Sequence, residues 1–131
     1  MDKDMIRFVR NDEFARFIGL QLVTVEPGYA VVRMEVKPHH LNGVGSVQGG
    51  AIFTLADYAF AAACNSGGNA TLGINANISY FRIPKGRVLT AEAREVSTTN
   101  RLCTYSVDVF DEDNVLIARL TATGYIKRDK S

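Results

Sequence analysis

The sequence predicts one α+β domain in which a curved antiparallel β-sheet wraps around one long central α-helix. Three observations favour this fold class. Residues 51–65 are strongly apolar and contain no proline or glycine, the later segments have β-strand composition, and a strand-turn-strand pattern precedes the helix. A helix and a sheet of this kind bury their apolar faces against each other. The 131 residues contain no repeat or linker and fit a single domain, residues 1–131.

The segment before the long helix predicts a short helix and a β-hairpin. Asn11 or Asp12 can cap a helix that runs through Ile18. Glu26-Pro27-Gly28 has turn composition, because proline presets one turn position and glycine allows positive φ. The two strands of the hairpin are predicted over residues 20–25 and 29–36.

The long helix is predicted over residues 51–65, after a glycine-rich loop at residues 39–50. Its apolar residues cover most of its circumference, which indicates a helix buried nearly all round. A narrower stripe at i, i+3 and i+4 spacing is expected to face an active-site cleft. Its members are Thr54, Asp57, Tyr58, Ala61 and Asn65.

The rest of the chain predicts a four-strand meander that packs on this helix. Apolar and polar residues alternate with a period of two, and the connecting segments have turn composition. The strands are predicted over residues 71–82, 88–97, 102–111 and 115–127. A single sheet curled on one helix leaves exposed edges, so we expect a homodimer that continues the sheet.

Composition and charge exclude several classes of protein. The formal net charge is +1, with 15 basic and 14 acidic residues, so we expect neither nucleic acid nor a membrane as partner. The sequence shows no signal peptide or membrane span, and we expect a cytoplasmic location. Cys64 and Cys103 form no CxxC pattern and are interpreted as small buried apolar groups. We expect no metal site and no cofactor.

Residues 41–66, LNGVGSVQGGAIFTLADYAFAAACNS, resemble the phenylacetic-acid-degradation-type hotdog thioesterases. Those proteins carry N-G-x-G-x-x-H-G-G followed by L-A-D-x-A-F-A, and the sequence departs from this pattern at Gln48, where histidine is usual. Weaker similarity extends over nearly the whole chain. The resemblance implies the hotdog fold and hydrolysis of an acyl-CoA with an aryl or short/medium-chain acyl group.

The residues of this segment also indicate chemistry by themselves. Gly49 and Gly50 open the helix, where unpaired N–H groups and the positive end of the helix dipole suit an oxyanion. Gly49 N–H is the candidate donor to the thioester oxygen, as the resemblance also implies, and Gly50 lies beside it. Asp57 is the only acidic residue between Val36 and Glu92. Spacing alone leaves open a buried aspartate that accepts from loop N–H groups, whereas the resemblance implies the catalytic acid.

Two inferences follow for Asp57. It acts as a general base on water or as a nucleophile, and we favour the base. Eight residues separate Gly49 from Asp57, about 12 Å along a helix. One carbonyl cannot easily contact both, so the two are expected to come from different subunits of a dimer, which itself could pair into a dimer of dimers.

Gln48 and Asn42 are the other candidate catalytic residues. Gln48 can orient groups by hydrogen bonds but cannot titrate near neutral pH. Asn42 matches a family position that holds or orients the attacking water. The alternative for Asn42 is an Asx turn before Gly43.

Substrate contacts are predicted less specifically. Arg82, Lys85 and Arg87 surround a turn and could bind the phosphates of CoA, or could be solvated surface. Tyr58 and Ala61 are candidates for the acyl pocket. Phe53 and Phe60 are predicted to be core residues. His39 and His40 are predicted to be loop residues without a catalytic role.

Two alternative functions remain at this stage. A hotdog dehydratase or hydratase would pair a histidine with a carboxylate, but neither histidine lies in the helix or its first turn. A non-catalytic acyl-CoA-binding protein would keep the fold without the chemistry. Gln48 leaves this second alternative open, and Asp57 argues against it.

Overall fold

The computed structural model describes residues 3–128, and within them it has three α-helices and six β-strands. A single 3-10 turn, Pro38–His40, lies in the loop before the long helix. The bounds are α1 Lys3–Arg10, α2 Glu13–Phe17, β1 Leu20–Glu26, β2 Tyr29–Glu35, α3 Gly49–Cys64, β3 Thr71–Tyr80, β4 Val88–Thr98, β5 Leu102–Phe110 and β6 Leu116–Ile126.

The six strands form one antiparallel sheet in the order β1-β2-β4-β5-β6-β3. The predicted four-strand meander is wrong, because β3 pairs with β6 and lies at the edge of the sheet. The helix α3 explains this order. Its 16 residues extend about 24 Å, enough to cross the roughly 19 Å of four strand spacings between β2 and β3. The chain is thus carried past β6, while both edges of β4 are occupied by β2 and β5.

The core lies between α3 and the concave face of the sheet. Alternate residues of β2, β4, β5 and β6 point towards the helix and are buried. Ala56, Ala59 and Ala62 of α3 are fully buried, and their small side chains let the strands approach the helix closely. The expected α+β hotdog arrangement, a curved antiparallel sheet around one long helix, is confirmed.

The N-terminal segment contains one helix that was predicted and one that was not. Asp12, rather than Asn11, caps α2, since its carboxylate accepts a hydrogen bond from Ala15 N–H at 2.9 Å. The helix α1 has eight residues, too few to be stable alone. It is held by packing, since Val9 is buried and its carbonyl accepts a hydrogen bond from the Tyr58 hydroxyl at 3.0 Å. Local sequence therefore did not predict it.

The edge strand β3 is exposed along most of its length. Leu72 and Ile74 expose 63% and 55% of their surface. A long edge strand with exposed apolar side chains is a surface on which another strand can pair. None of the helices in the described part of the chain is both long and apolar enough to cross a membrane.

Candidate active site

The N-terminus of α3 presents one free backbone donor. The helix begins at Gly49, two residues before the predicted start, and Gln48 caps it by accepting a hydrogen bond from Gly50 N–H at 2.8 Å. Gly49 N–H has no hydrogen-bond acceptor among residues 3–128. Of the two glycines, Gly49 is therefore the one whose N–H can bind a ligand, and Gln48 acts on the helix end by capping it.

Tyr80, which the sequence analysis missed, holds Gly49 from the other side. The Tyr80 hydroxyl donates a hydrogen bond to the Gly49 carbonyl at 2.9 Å. A Cβ at position 49 would lie 3.3 Å from both the hydroxyl oxygen and Cζ of Tyr80, so glycine fits this contact best. Burial raises the pKa of Tyr80, which keeps its hydroxyl protonated as a donor. Only the weak family similarity around residues 78–82 could have indicated it, since the contact depends on where β3 lies.

Gly49 opens into a cleft of about 270 Å³ that also contains Asn42 and Arg82. Asn42 Oδ1 accepts hydrogen bonds from Val44 N–H at 3.0 Å and Ser46 N–H at 3.1 Å. These are the contacts of the alternative interpretation, in which Asn42 shapes the loop through an Asx turn. We call this space the Gly49 cleft, and its lining residues are Asn42, Val44, Ser46, Val47, Gly49, Ile52, Tyr80, Arg82, Ile83 and Pro84.

Asp57 lies in a second, larger cleft of about 520 Å³ between α3 and β3. Its carboxylate makes no hydrogen bond within the described part of the chain, and the residue is exposed to solvent at the cleft. Burial against the cleft walls raises the pKa of Asp57 above its ordinary value, and the negative charge of Asp12 raises it further. We call this space the Asp57 cleft, lined by Phe53, Asp57, Phe60, Ala61, Cys64 and residues 71–76. A carboxylate without a partner and with a raised pKa suits a general base.

The Gly49 cleft and the Asp57 cleft share no lining residue. The two groups lie at the first and ninth positions of the same continuous helix, so the separation inferred from the sequence holds in the structure. One chain does not bring Gly49 N–H and the Asp57 carboxylate to the same point.

The predicted polar stripe on α3 is wrong at two of its positions. Tyr58 is buried and bonded to Val9, and burial raises the pKa of its hydroxyl. Asn65 is also buried, and its Oδ1 accepts a hydrogen bond from Thr71 N–H at 2.7 Å. With about 100° of turn per residue, Tyr58 and Asn65 lie at the edge of the stripe that is farthest from Phe53 and Cys64. The face that lines the clefts or solvent consists of Phe53, Thr54, Asp57, Ala61 and Cys64.

Ala61 and Phe60 line the Asp57 cleft together with Phe53. Ala61 also borders a neighbouring space of about 400 Å³ beside α1, where Tyr58 contributes its ring. Phe60 is buried, as predicted for a core residue, and Phe53 is half-buried in the cleft wall.

The three basic candidates separate in the structure. Arg82 lines the Gly49 cleft and donates to the Leu116 carbonyl at 3.3 Å. Lys85 and Arg87 are exposed and line neither cleft. Their backbone N–H groups are bound instead by carboxylates of the β5–β6 turn, which fixes the position of this loop.

The histidines and cysteines lie outside the candidate chemistry. His40 is buried, with Nδ1 accepting from Lys37 N–H at 2.9 Å and Nε2 2.7 Å from the Ile18 carbonyl, as in a neutral ring that holds the loop. His39 is exposed beside it. Burial raises the pKa of Cys64 and Cys103, which fits small apolar groups rather than reactive thiols. The described residues contain no cluster of three or more His, Cys, Asp or Glu side chains that could hold a metal.

Comparison with known proteins identifies the family. A family model described as the thioesterase superfamily matches residues 44–118, more than half of the chain. A putative esterase of Archaeoglobus fulgidus is 40% identical over 117 residues, covering 88% of this chain and 76% of the relative. The acyl-coenzyme A thioesterase PaaI of Escherichia coli is 35% identical over 109 residues, covering 82% of this chain and 78% of the relative.

A solved structure supports the same assignment. The E. coli PaaI protein from the phenylacetic acid degradation operon superimposes with a TM-score of 0.89 and 29% sequence identity, over 95% of this chain and 91% of that one. The dehydratase alternative has no support in these matches. The chain therefore belongs to the thioesterase superfamily, as a hotdog-fold thioester hydrolase of the phenylacetic-acid-degradation type.

Proposed function

We propose that this protein hydrolyses an acyl-CoA with an aryl or short/medium-chain acyl group to the free acid and CoA. The observation that carries the proposal is a pair of groups on α3 that have no hydrogen-bond partner among residues 3–128, Gly49 N–H and the Asp57 carboxylate. Acyl transfer requires a donor to the oxyanion, which Gly49 N–H can supply, and a base, which Asp57 can supply. The E. coli relative is named as an acyl-coenzyme A thioesterase, which supports CoA as the carrier.

In the proposed reaction, Gly49 N–H donates to the thioester oxygen as negative charge develops there, with the positive end of the α3 dipole behind it. Asp57 takes a proton from water, and the water oxygen attacks the acyl carbon. The C–S bond then breaks, and the departing thiolate takes the proton from Asp57. Attack by Asp57 itself, through a mixed anhydride, is the second route. Gln48 cannot titrate near neutral pH, so it takes no part in proton transfer. Its role is to support the Gly49 donor by capping the helix.

A homodimer would bring the two groups together. In each subunit the Gly49 cleft and the Asp57 cleft are separate, and the Asp57 cleft borders the exposed edge strand β3. Pairing of β3 with its copy across a two-fold axis would continue the sheet and cover Leu72 and Ile74. We propose that each active site then combines Gly49 of one subunit with Asp57 of the other, and that a dimer of dimers is possible.

Charge and polarity suggest how the substrate would lie. Arg82 is the cation within the Gly49 cleft, so it is the best candidate to bind CoA, while Lys85 and Arg87 could contact phosphates that extend over the neighbouring loop. The Asp57 cleft, with Phe53, Phe60 and Ala61 in its walls, suits an apolar acyl group.

Release of the CoA thiol tests the activity. With acyl-CoA substrates that carry aryl, short and long acyl groups, Asp57→Asn should lower kcat by about 10²- to 10⁴-fold, the usual contribution of a general base. Asp108→Asn is the matched control, because Asp108 pairs with Arg119 on the outer face of the sheet. Equal rates for Asp57→Asn and wild type would contradict the assignment, and no turnover by the wild type would favour an acyl-CoA-binding protein.

Mixed dimers test the shared site. We would combine Asp57→Asn subunits with Gly49→Pro subunits, since proline lacks the N–H. A mixed dimer then has one intact and one doubly altered site, so equal mixing should restore about a quarter of the wild-type activity. A site within one chain predicts no recovery. Sedimentation velocity of the same mixture distinguishes dimers from tetramers.

The cytoplasmic location expected from the sequence is kept as part of this proposal. Fractionation of cells that express the full chain tests it, with thioesterase activity followed in each fraction. Recovery of the activity with the membranes or outside the cell would contradict it.

A further inference from the structure

Phe60 occupies a space that two opposed glycines leave in the sheet. Gly73 of β3 and Gly124 of β6 are paired directly across the two strands. A Cβ on Gly73 would lie 3.2 Å from Cε2 of Phe60, and a Cβ on Gly124 would lie 3.3 Å from its Cζ. Side chains at both positions would therefore displace the ring. Because Gly73 and Gly124 have no side chains, the Phe60 ring can lie against the backbone of the sheet.

The Phe60 ring is held firmly in this position. It is only 3% exposed and meets Tyr105 edge to face, with ring centroids 5.6 Å apart and an interplanar angle of 68°. Tyr105 is equally buried. A ring confined by two glycines and a second ring cannot turn aside without disturbing the core.

Phe60 forms the inner wall of the Asp57 cleft. It is the one buried residue among those that line this cleft, and the others are half-buried or exposed. A second cavity, of about 190 Å³, lies beside the cleft at the C-terminal end of α3 and is bordered by Tyr105, Cys103 and Glu95. The two spaces share Cys64 and Thr71 as lining residues, so these two residues separate them.

From this arrangement we infer that Phe60 closes the inner end of the acyl site and limits the length of the acyl group. The inference rests on the proposed function, because it places the acyl group in the Asp57 cleft. An acyl group that ends at the ring is accepted, which favours aryl and short chains. A longer chain meets the ring, and the neighbouring cavity past Cys64 and Thr71 is bordered by the Glu95 carboxylate, where an alkyl chain would desolvate a charge.

A series of straight-chain acyl-CoA thioesters from acetyl to palmitoyl tests this limit, with kcat/KM measured for each. In the wild type, kcat/KM should rise with chain length, by up to about fourfold for each methylene buried, and then fall at a defined length. Phe60→Leu shortens the side chain and should move that break to longer chains. Gly73→Ala adds a methyl group against the ring, at a position that itself lines the cleft, and by narrowing the cleft should move the break to shorter chains.

Controls separate this inference from the proposed function. Phe17→Leu makes the same substitution at an exposed site on α2 and should leave the break unchanged. If one of the two test variants fails to fold, the other decides, since the expected shifts are opposite in direction. A break that stays in place in the folded variants overturns the inference, while an inactive Asp57→Asn in the same series leaves the proposed function intact. If neither a thioester of the series nor an aryl-CoA is hydrolysed, both fall.

Discussion

Replacing Gly49 with proline would remove the N–H group proposed to bind the thioester oxygen while leaving the helix in place. Gly49 is the first residue of α3, and proline is well tolerated there because that N–H has no intrahelical partner. The residue before proline must be extended, and Gln48 already is, with φ −62° and ψ 133°. The substitution is therefore compatible with the local backbone.

The expected loss follows from the number of donors removed. One preorganised oxyanion donor contributes about 3 kcal/mol to transition-state binding, so kcat should fall by roughly 10²- to 10³-fold. Proline also brings a Cβ, which would lie 3.3 Å from the Tyr80 hydroxyl and require a shift of a few tenths of an ångström. Gly49→Ala has the same Cβ but keeps the N–H, so it isolates the donor.

The assay is thiol release under saturating acyl-CoA, with thermal unfolding to show that each variant folds. Gly49→Ala should lose less than about tenfold in kcat, and Gly49→Pro should lose at least tenfold more than that. A folded Gly49→Pro variant within threefold of Gly49→Ala would refute the reasoning, because the N–H would then contribute almost nothing to the transition state.

Three further predictions concern groups around the site. Asp12→Asn keeps the cap of α2 but removes a negative charge that raises the pKa of Asp57. Since the base must be ionised, the acid limb of the pH–kcat/KM profile should move to lower pH. No movement, or a movement to higher pH, would contradict this. Tyr80→Phe removes the hydrogen bond from the Tyr80 hydroxyl to the Gly49 carbonyl and should lower kcat about fivefold with little change in KM. Tyr29→Phe, on the outer face of the sheet, is the control and should change neither constant. His40→Ala leaves Lys37 N–H and the Ile18 carbonyl without a partner and should lower the free energy of unfolding, measured in urea, by about 2–4 kcal/mol. A change below about 0.5 kcal/mol would show that water replaces the hydrogen bonds of the ring.

Local sequence was sufficient for the elements that depend on local chemistry. The buried character of α3 followed from its apolar circumference, and the strand faces followed from a period of two, because these patterns act within one element. Gly49 was predicted as a donor because helix ends always leave N–H groups unpaired. The start of α3 differed by two residues because Gln48 caps the helix, so that both glycines lie in its first turn.

Contacts between distant segments could not be predicted in the same way. The stripe on α3 was misassigned at Tyr58 and Asn65, because both lie at one edge of it, where the neighbouring α1 and β3 decide whether a side chain is buried. Tyr80 and Phe60 acquired their importance only from where β3 lies. Its crossing to the far side of β6 depends on the length of α3 and on which strand edges are free.

The sequence by itself therefore determined the fold class, the family resemblance and the two groups, Gly49 and Asp57, on which the proposed chemistry depends. The tertiary structure decided which residues form the cleft around each group, that Tyr80 holds Gly49 and that Phe60 lines the Asp57 cleft. The physical reason is that period and composition specify which face of an element is buried, whereas the partner on that face is set by the packing of the whole chain.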